Sequence, residues 1–109
     1  MEKQNTQELV LPINYDSFNE FYGENKLKIY QELIKGYEYV SENLNETFQL
    51  KINANVENIN FSTTFNISKN DDEIIERLNY VYLPYFQKIE DYETCDKIKN
   101  IYKKIKGII

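Results

Sequence analysis

Five groups of side chains in this sequence have types and spacings that could do chemistry. They are two runs of carboxylates, one thiol, a late cluster of lysines and ten tyrosines. Asp71, Asp72, Glu73 and Glu76 could gather a hard cation, as could Glu90, Asp91, Glu93 and Asp96. A calcium loop needs oxygen ligands at alternating positions and a glycine for its turn, and neither run has that spacing. Acidic residues at a helix start complement its positive end, which accounts for both runs without a metal. Paired carboxylates acting as general acid and base need a cleft that raises one pKa, and nothing in the sequence announces one.

Cys95 would need a base to become a thiolate nucleophile, and the chain has no histidine to serve as one. It falls between Tyr92 and Ile98 on an apolar stripe, where a small buried core residue is expected. The lack of histidine also excludes His-dependent triads, His metal centres and His proton shuttles. A single cysteine excludes a disulfide framework and a Cys-based zinc site. Only Gly23, Gly36 and Gly107 are present, so there is no Gly-rich phosphate loop. Arg77 is the one arginine, which leaves no cluster of bidentate anion forks. The expectation is a non-enzymatic protein without cofactor or metal.

Lys97, Lys99, Lys103, Lys104 and Lys106 crowd the end of the chain. Residues 1–76 hold six basic and fourteen acidic groups, whereas residues 77–109 hold seven basic and four acidic ones. The lysine cluster is the alternative reading: a nucleic-acid or anionic-surface binder through a basic amphipathic helix. Lysines also suit the negative end of a helix, which is the simpler account of their position. The net charge of -5 disfavours a general nucleic-acid coat.

The tyrosines point towards binding. Tyr37 and Tyr39 project about 200° apart on a helix, so one of the two should face outward, and the same holds for Tyr80 and Tyr82. Tyrosine is enriched at protein interfaces because it offers area at low entropic cost. An AT-rich genome or mobile element would also enrich Asn, Ile, Lys and Tyr together. The candidate protein-binding residues are Glu20, Glu24, Glu38, Tyr39, Glu42, Tyr80, Glu90 and Asp91. Acidic groups beside exposed tyrosines suit a basic partner, approached by electrostatic steering. The functional expectation is a small acidic protein that binds another protein. An inhibitor of anti-defence or immunity type, acting on a basic nucleic-acid-handling target, fits this profile, and so does a small assembly subunit. Homodimerisation through exposed tyrosines is compatible with these readings, with the lysine-cluster alternative and with a carboxylate enzyme.

The elements that must position these residues can be read from periodicity. The 109 residues, 41% of them apolar, suit one domain. Residues 1–8 are polar and read as a flexible tail, leaving a single domain over 9–109. The start lacks the apolar core of a signal peptide, which makes the cytoplasm the expected location. Leu9 to Ile13 reads as a short strand, with Pro12 restricting it to an edge or an end. Asp16 or Ser17 opens a helix: Ser17-Phe18-Asn19-Glu20 has capping-box spacing, and Tyr30, Leu33, Tyr37, Val40 and Leu44 follow on one face. Gly23-Glu24-Asn25 reads as an interruption of it. The period then becomes two, over Phe48 to Val56 and again over Ile59 to Ile67, with Glu57-Asn58 between them. This predicts an antiparallel hairpin with one buried face.

After residue 68 the helical period returns through Ile74, Leu78, Val81 or Tyr82, Tyr85 and Ile89. Pro84 should kink or divide that helix. Asp91 can cap a last helix that ends at Gly107. The fold class expected is α+β: a small antiparallel hairpin or sheet flanked by an N-terminal helix and a C-terminal kinked helix or helical hairpin. Its order is β-α-β-β-α(α).

Overall fold

The computed structural model describes residues 3–43, 45–68 and 73–107. The fold is α+β, as the periodicity predicts. Its elements are strand β1 (Lys3–Tyr15), helix α1 (Phe18–Glu42), strands β2 (Glu46–Val56) and β3 (Ile59–Ile67), then helices α2 (Ile74–Arg77), α3 (Leu83–Lys88) and α4 (Tyr92–Lys106). A π-helical turn, Leu78–Tyr82, joins α2 to α3 in one continuous rod. The three strands form one sheet in the order β1-β2-β3.

The β2–β3 hairpin is antiparallel throughout, from Val56↔Ile59 to Phe48↔Ile67. Its two central turn residues, Glu57 and Asn58, have φ of 54° and 64°. Positive φ at both positions is the signature of a type I′ turn, whose twist matches that of the flanking strands. Asn14 Oδ1 accepts the Asn58 N–H at 2.9 Å, and the Tyr15 carbonyl accepts the Glu57 N–H at 2.8 Å. The end of β1 thus holds a turn whose sequence lacks the usual glycine.

The sheet is not antiparallel as a whole, which corrects the expectation. β1 runs parallel to β2, from Lys3↔Glu46 to Tyr15↔Val56. A helix of 25 residues returns the chain by about 37 Å, so the next strand starts where the first one started. Residues 3–8 lie in β1 paired with 46–51, rather than in a loose tail. Their alternation is polar on both faces, so it carries no apolar period to read. The ladder shifts register between Val10 and Asn14, around Pro12, which has no N–H to donate.

α1 begins at Ser17, whose hydroxyl accepts the Glu20 N–H at 3.1 Å, while the Glu20 carboxylate accepts the Asp16 N–H at 3.3 Å. The helix runs unbroken through Gly23-Glu24-Asn25. Asn25 is buried, and its Nδ2 donates to the Phe21 carbonyl at 2.8 Å, so its polar group is satisfied inside the helix. α1 lies on the sheet, chiefly against β2. Phe21, Ile29, Leu33 and Val40 are buried with Leu50, Ile52, Ala54 and Val56. Leu44, expected on the same face, lies outside the described residues. At Gly36 a methyl group would stand 2.5 Å from a Phe48 ring carbon and 3.0 Å from Ile67, so only glycine lets α1 approach this closely.

The C-terminal third runs as one rod with a π turn just before Pro84, then folds back so that α4 packs on α3. Leu83 N–H bonds to the Leu78 carbonyl, five residues earlier, just before Pro84. The wider turn relieves the crowding a proline imposes on the carbonyl four residues before it. Ile74, Leu78, Tyr82 and Phe86 recur every four residues and are all buried. Glu90, at φ 61°, closes α3: Asp91 N–H bonds to the Phe86 carbonyl at 2.9 Å and Glu90 N–H to that of Gln87 at 3.1 Å. These are the two bonds of a Schellman motif. Asp91 then caps α4, accepting from the Thr94 N–H at 3.2 Å and the Thr94 hydroxyl at 2.7 Å. α4 packs Cys95, Ile98 and Ile101 against α1 and α3 and stops at left-handed Gly107, as its sequence implies.

Candidate functional site

A hollow of about 510 Å³ forms a groove between α1, β3 and the π turn. Tyr22, Lys26, Tyr30 and Leu33 enter it from α1, Phe65 from β3 and Tyr82 from the π turn. Positions 22, 26, 30 and 33 fall on one side of a helix, so a single face of α1 builds the floor. A second hollow of about 340 Å³ shares Leu33, Phe65 and Tyr82 and reaches Arg77.

Aromatic contacts fix the walls. The Tyr30 ring meets Tyr82 edge-on at 5.0 Å and Tyr85 at 4.9 Å, and Tyr37 meets Tyr82 at 5.7 Å. Edge-to-face pairs at this spacing add about 0.5–1.5 kcal/mol each beyond burial. Lys26 Nζ stands over the rings of Tyr30 and Tyr85, 5.6 and 5.3 Å from their centres. Burial, reinforced by neighbouring Tyr37 and Tyr30, pushes the Tyr82 phenol well above its ordinary value. It is therefore a neutral hydroxyl at physiological pH. A lining of rings, methyl groups and one ammonium can receive an apolar or aromatic side chain. Among the described residues its lining holds no carboxylate and no thiol.

Cys95 is buried, and burial followed by the Asp91 charge pushes its thiol up. A protonated thiol inside the core is not poised for attack. Glu73, from the first carboxylate run, pairs with Arg77 at 2.8 Å, while Asp71 and Asp72 lie outside the described residues. Among the described residues no three His, Cys, Asp or Glu side chains gather where they could hold a metal ion.

The eight candidate protein-binding residues do not converge. The Glu20 carboxylate accepts the Asp16 N–H at the start of α1, and Asp91 caps α4. Glu42 is paired with Lys104 at 3.0 Å. Tyr39 is half-buried against β1: its hydroxyl donates to Glu46 and accepts from the Asn5 amide, which also donates to Glu46 at 3.1 Å. That bond to Glu46, with burial and the Glu46 charge, raises the Tyr39 phenol. Glu38 is half-buried at the rim of a 250 Å³ hollow between α1 and α4, which Lys35 and Lys97 also line. Glu24 is exposed on α1, Tyr80 is 79% exposed on the π turn, and Glu90 is exposed in the hairpin bend.

The five lysines of the alternative reading are all exposed on α4. Lys97 and Lys104 face the acidic flank of α1, beside Glu38 and Glu42. Lys99, Lys103 and Lys106 fall on the opposite side of the helix by their spacing. Part of the charge asymmetry between the two halves of the chain is thus internal complementarity.

The groove was not among the residues singled out from sequence. Its signal was present as Tyr22, Lys26 and Tyr30, four residues apart on α1. What was missing was the partner wall, which depends on how β3 and the π turn are placed. No family model, curated protein or solved structure matches this chain. No helix among the described residues is long and apolar enough to cross a membrane.

Proposed function

We propose that this chain is a non-enzymatic protein that acts by binding another protein, with the tyrosine-lined groove receiving an apolar or aromatic side chain of the partner. The observation that carries this reading is the groove's lining: Tyr22, Tyr30, Leu33, Phe65 and Tyr82 around a 510 Å³ hollow, with Lys26 as its charged group. Interfaces concentrate their energy where a few aromatic anchors fill such pockets. The net charge of -5 favours a basic partner. An inhibitor of a basic nucleic-acid-handling protein, of anti-defence or immunity type, fits that description, as does a subunit of a small assembly. The proposed setting is the cytoplasm. A second reading rests on Lys99, Lys103 and Lys106, which form an exposed basic flank on α4. That flank would hold nucleic acid or an anionic surface.

The test is affinity capture from host lysate with the tagged protein and a Tyr22→Ala, Lys26→Glu variant, with and without nuclease. Tyr22 and Lys26 are exposed, so the double variant leaves the core intact. One basic protein, held by the parent chain despite nuclease and lost by the variant, supports the groove. Recovery of nucleic acid alone, abolished by Lys99→Gln, Lys103→Gln and Lys106→Gln, moves the assignment to α4.

A further inference from the structure

The two edges of the sheet differ in how they are protected. β1, at one edge, carries Pro12, a register shift between Val10 and Asn14, and the charge of Glu8. Proline, bulges and charges are the devices that keep an edge strand from pairing with another chain. β3, at the other edge, has none of them. Its nine residues, Ile59 to Ile67, include no charge, no proline and no glycine, and its pairing with β2 has no irregularity. Among the described residues nothing is hydrogen-bonded to its outer side. Ile59 is 67% exposed.

The sequence of β3 is also close to a palindrome about Thr63: Ile-Asn-Phe-Ser-Thr-Thr-Phe-Asn-Ile. An antiparallel pairing of two such strands sets Ile59 opposite Ile67, Asn60 opposite Asn66, Phe61 opposite Phe65, Ser62 opposite Thr64, and Thr63 opposite itself. Aromatic, aliphatic and hydroxyl pairs of this kind favour cross-strand contact. The backbone agrees with this register. A two-residue I′ turn makes Val56 and Ile59 a hydrogen-bonded pair, and such pairs alternate along the ladder. The amides and carbonyls of Asn60, Ser62, Thr64 and Asn66 therefore point away from β2. About a two-fold axis at Thr63 they meet their counterparts in roughly eight new ladder bonds.

We propose that a second copy of this chain pairs with β3 in this way, giving a symmetric dimer with a six-stranded sheet. The contact is isologous, so it closes on two copies. Only the two blunted β1 edges would remain at the ends of the sheet. The proposal does not depend on the groove reading, although Phe65 belongs to both surfaces.

The test is sedimentation equilibrium of the full chain over a concentration series, with variants confined to the exposed outer side of β3. Thr64→Pro removes an outward-pointing N–H and leaves the bonds to β2 in place. It should raise the dimer dissociation constant at least about tenfold, since ladder bonds are lost on both copies. Ser62→Lys alone and Thr64→Glu alone should each weaken the dimer, by placing like charges close across the axis. An equimolar mixture of those two variants should restore it, because the ammonium introduced at position 62 of one copy then faces the carboxylate introduced at position 64 of the other. Far-ultraviolet circular dichroism checks that each variant is folded. A parent chain that stays monomeric throughout, or a dimer indifferent to Thr64→Pro and to the charge pair, overturns the proposal. A strand of another protein on this edge would appear as that monomeric outcome.

Discussion

Lys104 Nζ lies 3.0 Å from Glu42 Oε1, joining the last turn of α4 to the last turn of α1 across 62 positions of sequence. Both side chains are roughly half exposed, so water and salt weaken the attraction. An exposed pair of this kind contributes about 0.2–1 kcal/mol. Lys104→Gln is expected to lower the unfolding free energy by an amount within that range at low ionic strength, read from the denaturant midpoint at unchanged slope. The difference from the parent should shrink in high salt. A loss well above about 1 kcal/mol would mean that α4 is held on α1 mainly by charge rather than by Cys95, Ile98 and Ile101.

Gly23 and Gly36 lie in the same helix and should respond oppositely to the same substitution. Nothing stands within 4 Å of a methyl group at Gly23. Gly23→Ala gains only helix propensity and should stabilise the fold by about 0.5–1 kcal/mol. A methyl group at Gly36 would enter the Phe48 ring at 2.5 Å. Overpacking of that kind costs about 1–3 kcal/mol, which outweighs the propensity gain. Thermal unfolding of the two variants should move Tm up for the first and down for the second.

Glu90 occupies a left-handed position at φ 61° that a Schellman motif normally gives to glycine. Left-handed backbone costs a residue with a side chain about 1–2 kcal/mol. Glycine removes that cost, and its greater freedom in the unfolded chain offsets part of the gain. Glu90→Gly should therefore raise stability by about 0.5–1 kcal/mol, read from the urea midpoint at unchanged slope. It also removes one of the candidate acidic contacts, so stability and partner binding can be separated in the same variant.

Buried Tyr82 gives the fold an alkaline limit. Its phenol is raised in the folded state by burial and by Tyr37. The native state then holds a proton that the unfolded state releases above pH ~10. Stability from this group is fully present below that value and is lost as pH rises beyond it. Cys95, raised by burial, adds a loss of the same sign that starts nearer the ordinary thiol range. Tyr82→Phe should flatten the alkaline decline above pH ~10, measured as unfolding free energy against pH. An unaltered decline would assign it to other groups.

Much of the fold could be read because one face of an element was apolar and the other was not. The hairpin is such a case: Leu50, Ile52, Ala54 and Val56 alternate with polar residues, and all four are buried. Ser17, Asp91 and Gly107 also bound their helices as their types suggest. β1 was legible only around Leu9 to Ile13. Residues 3–8 are polar on both sides, and their strand conformation comes from pairing with β2 and from the Asn5–Tyr39–Glu46 bonds. That omission explains the error at Tyr39. Its spacing from Tyr37 placed it outward, and what lies there is the unread end of β1. Tyr80 and Tyr82 divide as their spacing requires, one exposed and one buried. Of the groove, one wall is a pattern in α1 and the other is tertiary.

The central claim is that the groove between α1, β3 and the π turn contacts a protein partner. The most direct measurement replaces Tyr22, at the groove, with a photo-crosslinking residue in host cells. A matched chain carries the same group at Lys51, on the polar outer face of the sheet. The account predicts one protein adduct from position 22, of a basic protein, that Lys26→Glu abolishes and that position 51 does not form. Adducts that are the same from both positions, or none from position 22, would contradict it.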